Sequence, residues 1–361
     1  MKPLSELLLE LSKAHGPSGW EDEIREIIIS QIKNDVKEIK IDKLGNLYVN
    51  IKGKKSKNKI LVSAHMDEVG FIIKHVEPEG FLRFEILGSI DPRVILGQRI
   101  LLKGNKAIIG IVGTTPPHVL SKEEAKSPAN LNELYIDIGA TSKQDCDKLG
   151  INIGTTGTFQ EQGIKITDNS IAISKALDNR SGCAAALKVI ESMIKNKPES
   201  DVTFVFTVQE EVGLRGASVI TNEINPDVAI ILENTVAADT PGVLPKDHIT
   251  KIGKGPGIRV MDATMITQRK IFEHIKRTAE INKIPHQIQL MPKGGTDAGR
   301  IHLTNKGLPT GVIATPCRYL HSPSLLLNIQ DLKNVIKLTE LTIRSIKNKE
   351  QFTFNENNQN E

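Results

Sequence analysis

The stretch from Thr203 to Ala217 places two carboxylates directly after a short apolar run. Thr203 to Val208 is rich in β-branched residues and phenylalanine, which predicts a strand buried on both faces. Glu210 and Glu211 follow at its tip, which is where ligands bind in open α/β sheets. Neighbouring side chains on an extended backbone point to opposite sides, so we expect one glutamate to hold a metal while the other faces the substrate. A solvated acidic loop is the alternative interpretation.

A second buried run, Ile60 to Ala64, is followed by His65 and Asp67. Residues two apart on an extended chain share a face. This spacing suits a metal-binding imidazole whose other ring nitrogen is held by a carboxylate. A core histidine with a surface aspartate nearby is the alternative, and the spacing alone does not separate the two.

Three further side chains occupy comparable places: Glu233 after the predicted strand Val228–Leu232, His321 after the predicted strand Gly311–Thr315, and Asp178 shortly before the predicted helix Ser181–Lys195. Asp178 alone would be an ordinary helix N-cap. Together with His65 and Glu211 these residues make five candidate ligands that converge on one crevice. Mixed nitrogen and oxygen ligation suits Zn, Co or Mn. Five ligands exceed one tetrahedral site and fit two divalent ions bridged by a carboxylate. Glu210 is then left as an unligated carboxylate beside them.

The middle of the chain differs from its two ends in predicted secondary structure and in glycine content. From Phe71 to about Ile166 the segments are short and β-rich with frequent glycine, and only 121–134 carries a weak helical pattern. We therefore predict an α/β domain made of residues 1–70 and 167–350, with a small β domain of residues 71–166 inserted into it. Residues 351–361 are polar and are predicted to be a disordered tail.

The N-terminal region predicts two helices separated by a glycine-containing turn. The first covers Leu4–Ala14, and the second covers Trp20–Ile32 with Ser18 as N-cap and Glu21 three residues on. A glycine-rich turn at residues 294–299 matches no nucleotide-binding pattern.

Composition excludes several classes of partner. The chain has 361 residues, 25% of them charged and 39% hydrophobic, and a net charge of +4 from nearly balanced totals. This balance gives no case for nucleic acid or for an anionic membrane surface. The three cysteines are scattered and form no disulfide framework, so we expect a reducing, cytoplasmic setting. We recognise no signal peptide and no apolar run of membrane-spanning length.

Seven segments of the chain resemble one known family: SAHMDEVGF, KALDNRSG, TVQEEVGLRGA, ENTVAADTPG, KGPGIRVMDA, GGTDAG and RYLHSP. The family is that of the glutamyl aminopeptidases and cellulase M, co-catalytic metallo-aminopeptidases that include the tetrahedral aminopeptidases. The resemblance implies a mixed-sheet α/β metallopeptidase domain with an inserted small β-barrel-like domain that serves in assembly. It also implies peptide substrates, two divalent ions per chain and a homo-oligomer, from a dimer up to a dodecamer.

The same resemblance implies a role for each site residue: His65, Asp178 and Glu233 bind one metal, Asp178 bridges to a second metal completed by Glu211 and His321, Glu210 is the general base, and Asp67 holds His65. Two positions depart from the family. Glu233 stands where many members have Asp, and Leu325 stands where members often have Glu.

Other functions stay open beside the aminopeptidase. A deacylase or a carboxypeptidase-like amidohydrolase can use the same scaffold. A glycosidase is a weaker alternative because its paired-carboxylate mechanism needs no metal. A non-catalytic scaffold or binding protein would be expected to lose a ligand or Glu210, whereas this sequence retains all six residues.

Overall fold

The computed structural model describes residues 1–56, 58–119, 121 and 130–354 of the chain. The strands in chain order are β1 (Glu38–Ile41), β2 (Leu47–Ile51), β3 (Lys59–His65), β4 (Gly70–Val76), β5 (Leu82–Leu87), β6 (Arg99–Lys103), β7 (Ala107–Gly113), β8 (Tyr135–Asp137), β9 (Thr156–Phe159), β10 (Ile164–Ile166), β11 (Ile171–Ser174), β12 (Asp201–Thr207), β13 (Val228–Val236), β14 (Gly257–Asp262), β15 (Gln287–Met291), β16 (Thr310–Arg318) and β17 (Leu325–Asn328). The α-helices are α1 (Leu4–Lys13), α2 (Asp22–Ile32), α3 (Lys143–Leu149), α4 (Leu177–Lys195), α5 (Arg269–Ile281), α6 (Ala298–Ile301) and α7 (Ile329–Ser345).

The main sheet has a parallel centre and antiparallel margins. Its strand order is β1-β2-β12-β3-β13-β16-β17-β11-β10, and β12, β3, β13 and β16 pair in parallel. On the antiparallel margins, β14 pairs with one part of β16 and β17 with another part. The parallel strands all end at the same edge of the sheet, so the residues that follow them are brought close together.

Both faces of the sheet are covered, which explains the continuous apolar runs of its central strands. In β3, Ile60 and Val62 belong to the larger core, which includes apolar residues of α1, α2, α4, α5 and α7. Leu61 points to the opposite face and belongs to a smaller core that includes residues of α6.

The segment between β3 and β10 closes into a barrel of its own. Its strands form the ring β4-β5-β8-β7-β6-β9. Phe71 is central to the barrel core, because its ring makes edge-to-face contacts with Phe84 and Phe159 at centroid distances of 5.3 and 5.2 Å. The predicted fold class, a mixed α/β domain with an inserted small barrel, is confirmed.

Several predicted element boundaries need correction. β13 continues to Val236, so Glu233 lies inside that strand and not beyond its end. The sequence also missed α3, because this short helix buries only Cys146 and lacks an apolar period; Ser142 and Gly150 cap it instead. The weak helical pattern at 121–134 falls mostly outside the described residues, and its last part holds a 3₁₀ turn at Leu131–Glu133.

Ser18 is not the N-cap of α2, which begins at Asp22 with Glu21 as the preceding residue. The Ser18 hydroxyl instead donates a hydrogen bond to Asp67. The predicted tail is also wrong at its start, because Lys349–Phe352 is a 3₁₀ helix with a fully buried Phe352. Residues 355–361 of that tail lie outside the described residues. Within the described ranges, no helix combines the length and apolarity that crossing a bilayer requires.

Candidate metal centre

Asp67 connects the ends of two neighbouring strands. β3 ends at His65, and Thr207, the last residue of β12, is its partner in the parallel register. Beyond these residues the N–H groups of Glu210 and Glu211 donate to the Asp67 carboxylate at 3.0 and 3.1 Å. Nδ1 of His65 lies 3.2 Å from the backbone oxygen of Asp67 and 3.4 Å from its carboxylate. One buried carboxylate therefore sets the positions of both glutamates and of the imidazole.

Asp178 lies between two histidines. Its Oδ1 is 3.4 Å from Nε2 of His65, and its Oδ2 is 3.5 Å from Nε2 of His321. Glu233 approaches the same nitrogen of His65 at 3.4 Å, and Glu211 approaches the same nitrogen of His321 at 3.2 Å. The structure thus brings together the five candidate ligands as two triads that share Asp178.

The separations between these atoms fit metal coordination. Two atoms bound at about 2.1 Å to a tetrahedral metal are about 3.4 Å from each other. Among the described residues, Oδ1 of Asp178, Oε1 of Glu211 and Oε2 of Glu233 are buried oxygens without a hydrogen-bond partner. A buried carboxylate oxygen without a partner is costly unless a cation neutralises it. The donor set and its unsatisfied oxygens therefore fit a pair of divalent ions.

Carboxylates raise the pKa values of both histidines. Burial alone would lower the pKa of His65, but Glu233 and Glu210 raise it well above its ordinary value. Glu211 raises the pKa of His321 to about 11, although burial opposes this. The carboxylates therefore create a negative field at both Nε2 atoms, and such a field attracts a divalent cation.

Glu210 is the carboxylate of this cluster that has no place in either triad. It lies with His65 and Glu233 in a group whose ligand atoms are all within 4.8 Å of one another. Burial raises the pKa of Glu210 well above its ordinary value, and the nearby charge of Glu233 adds to this while His65 opposes it. A carboxylate with a raised pKa takes up a proton more readily than an ordinary one, which suits general acid–base catalysis.

The cluster opens into a cavity of about 610 Å³. Beyond the candidate ligands, the cavity wall includes apolar and basic side chains, among them Val236, Met291, Lys293, Arg300 and Leu320. Ser89 reaches the same cavity from the loop after β5, so the barrel contributes to the site.

Two groups near the cluster were not foreseen as site residues. Asp297 is fully buried, accepts a hydrogen bond from Thr207, and has a pKa raised to about 7, mainly by burial. Arg259 lines the cavity and forms a buried ion pair with Asp262 at 3.0 Å. The segments GGTDAG and KGPGIRVMDA contain these residues, so the family resemblance was the signal that could have identified them.

Residues 45–338 match the sequence model of the M42 glutamyl aminopeptidase family. The chain belongs to this family. The lysyl aminopeptidase of Pyrococcus furiosus is 32% identical over 353 residues, which cover 95% of this chain and 97% of that protein. The TET aminopeptidase of the marine sediment archaeon Thaumarchaeota archaeon SCGC AB-539-E09 superposes with a TM-score of 0.94 at 37% identity, covering 97% of this chain and 99% of that one. The Pyrococcus horikoshii TET1 peptidase gives a TM-score of 0.85 at 34% identity, covering 95% and 100%.

The family predicted from the sequence segments is therefore confirmed, and this M42 protein is a peptide hydrolase. M42 peptidases are metallopeptidases, which agrees with the grouped ligand atoms at the sheet edge. Of the two departures from the family pattern, Glu233 still reaches His65. Leu325 begins β17, is buried in the larger core and pairs with Ser174, so it supplies no polar contact near His321.

Proposed function

We propose that the chain is a di-metal aminopeptidase that hydrolyses the N-terminal peptide bond of peptides. His65, Asp178 and Glu233 would hold one divalent ion; Glu211 and His321 would hold the second together with the shared Asp178. The observation that carries this proposal is the position of Asp178, whose two oxygens lie 3.4 and 3.5 Å from the two imidazole nitrogens. The mixed ligand set suits Zn or Co, and Mn is a further candidate.

Glu210 is the proton carrier in this proposal. Two divalent ions bound by these residues would lower the pKa of a water molecule and polarise a carbonyl oxygen. The buried Glu210 carboxylate, with its raised pKa, accepts a proton from water and returns it to the leaving amine. Asp67 holds the backbone of Glu210 and the ring of His65, so that the proton carrier and the ligand keep their relative positions.

The end of a peptide is the part of a substrate that this cavity suits. Its volume of about 610 Å³ is that of a pocket for a small ligand, so it accommodates a chain end more readily than a continuous chain. Carboxylates of the cluster lie in its wall and favour a nearby cationic amine. The aminopeptidase names of the relatives point the same way.

The test compares one peptide with a free N-terminus and the same peptide with that amine acetylated. The enzyme loaded with Zn or Co should release residues one at a time from the free peptide only, which mass spectrometry records as a ladder. Metal analysis should find about two equivalents per chain, and exhaustive chelation should abolish the activity.

Each alternative predicts a different result in the same experiment. Internal cleavage would point to an endopeptidase, and equal rates on both peptides would favour the deacylase. Full activity after chelation would overturn the metal proposal itself. A protein that binds metal but cleaves no peptide in a broad panel would be the non-catalytic scaffold.

We further propose that the chain forms a homo-oligomer through its barrel. Ile109 and Ile111 lie two apart on β7, and each is about half exposed, so the barrel presents apolar side chains outward. The P. horikoshii TET1 relative can assemble into a tetrahedron or a large octahedral shell. The cytoplasmic location expected from the cysteine pattern stays a prediction.

A further inference from the structure

Four successive backbone N–H groups after the end of β12 donate to side chains and not to a neighbouring strand of the described residues. β12 ends at Thr207, and the N–H of the next residue, Val208, donates to the side chain of Asn46. The N–H of Gln209 donates to Glu21 at 3.1 Å, and those of residues 210 and 211 donate to Asp67. Acceptors from three other segments therefore replace a strand at the point where the chain presents its two glutamates.

The turn before α2 supplies two of the side chains in this arrangement. The Ser18 hydroxyl donates to Oδ2 of Asp67 at 2.6 Å, and both residues are buried. The same Oδ2 accepts the N–H of Glu211, while Oδ1 accepts the N–H of Glu210. Ser18 therefore adds a side-chain hydrogen bond to the carboxylate that holds the backbone of both glutamates.

Glu21 joins the turn to the strand tip. Its Oε1 accepts the N–H of Gly19 at 2.7 Å and that of Gln209 at 3.1 Å, so one oxygen links residues from both segments. The turn is itself held in place, because the N–H of Glu68 donates to the carbonyl of Gly16. The sequence predicts that Ser18 and Glu21 cap α2. In the structure they instead bond to Asp67 and to the backbone of Gln209, beside the candidate ligands.

We propose that Ser18 and Glu21 are positioning residues of the hydrolysis: through Asp67 and the backbone of residues 209–211, they hold Glu210 and Glu211 in their separate roles. This inference rests on the proposed di-metal function. Neither Ser18 nor Glu21 is among the described residues that line the cavity, so they act through other groups and not on the substrate. Both precede residue 45, where the match to the family begins.

The first test is Ser18→Ala against Ser18→Thr. Loss of the hydroxyl removes the hydrogen bond that holds Oδ2 of Asp67 from the side of the turn. Outer hydrogen bonds of this kind are worth about 10-fold to 100-fold in metal affinity or activity. We expect Ser18→Ala to lower kcat about 10-fold with KM unchanged, and to weaken Co²⁺ binding, followed by its visible absorption, by a similar factor. Ser18→Thr retains the hydroxyl and should recover most of both losses.

The second test uses Glu21→Leu against Glu21→Gln and does not depend on Ser18. Leu has a similar size but no acceptor, so it leaves the N–H groups of Gly19 and Gln209 unpaired. Gln retains an acceptor oxygen and should lose less kcat and less Co²⁺ affinity than Leu. This pair decides the question if Ser18→Ala fails to fold.

The matched control is Ser30→Ala, which removes an exposed hydroxyl that donates to Ile27 within α2. It should leave kcat and Co²⁺ affinity at the wild-type values. If Ser18→Ala and Glu21→Leu fold, bind Co²⁺ and turn over as the wild type does, or lose only thermal stability, the positioning role is wrong. If the wild-type enzyme itself binds no Co²⁺ or hydrolyses peptides without metal, the proposed function fails instead.

Discussion

Glu210 and Glu211 are adjacent in the chain but lie in different surroundings. Glu211 is 3.2 Å from His321 and groups with His65 and Asp178, whereas Glu210 groups with His65 and Glu233. Both backbone N–H groups are bound to one carboxylate, so the two side chains leave a backbone that is held in place. Neutral substitutions of nearly equal shape can therefore separate the two roles.

We expect Glu210→Gln to retain metal and to lose most turnover, by about 10²–10⁴-fold, because the variant can no longer carry the proton. Glu211→Gln should also lose metal, because its anionic oxygen is part of a triad. Metal analysis and kcat measured on both variants check this. The reverse pattern, with Glu210→Gln empty and Glu211→Gln loaded, would exchange the two roles.

At the scale of elements, one buried histidine joins the N-terminal region to the barrel. His15 follows α1, and its two ring nitrogens lie 3.3 Å from the hydroxyls of Thr156 and Thr158 in β9. Burial lowers the pKa of His15 from 6.5 to about 3, and the nearby charge of Lys175 adds to this. His15 is therefore neutral in the folded protein at pH values at which the unfolded chain is already protonated.

The sign of the pH dependence follows from this difference. Between pH 6.5 and about 3 the unfolded state binds the extra proton, so the contribution of neutral His15 to stability is complete above pH 6.5 and is lost as the pH falls. His15→Gln should therefore flatten the acid side of the plot of unfolding free energy against pH, as measured with urea. The control is Ser30→Ala in α2, which removes an exposed hydroxyl and no titratable group, and it should leave the slope unchanged. Equal slopes for wild type and His15→Gln would contradict the prediction.

At the scale of the whole molecule, the barrel has two surfaces with different uses. Through Ser89 it reaches the cavity, and Gly88 beside it is so close to Glu211 that an added Cβ would lie 3.3 Å from the Cβ of that glutamate. On β7, in contrast, it presents Ile109 and Ile111 to the outside. The barrel therefore forms part of the cavity wall and also carries an exposed apolar pair.

We expect that charge introduced on the outer surface of the barrel reduces the size of the assembly. Ile109→Lys combined with Ile111→Lys should give a smaller species in light scattering, because buried lysines disrupt an apolar interface. Leu303→Lys is the matched control, since Leu303 is similarly apolar and 68% exposed but lies outside the barrel. An unchanged particle size in the double variant would place the interface elsewhere.

Local patterns in the sequence were sufficient for the central strands of the main sheet and for the sheet edge at which the candidate site residues meet. The apolar run Ile60–Ala64 predicted a buried strand just before His65, and β3 extends that run by one residue at each end, to Lys59–His65. The rule that ligands gather at strand ends identified the residues that the fold brings together, because parallel strands end at one edge. The adjacency of polar residues to a strand and the periodicity of apolar residues depend only on near neighbours in the sequence. Both can therefore be recognised before the fold is known.

Only the tertiary structure determines which group each of these polar side chains contacts. Ser18 and Glu21 have the pattern of a helix cap, but the fold places Asp67, 49 residues away, beside the hydroxyl, and Gln209, 188 residues away, beside the carboxylate. Asp178 likewise has the pattern of an N-cap and instead lies between two histidines. A polar side chain bonds to whatever partner the fold brings within about 3 Å, and no local pattern contains that distance.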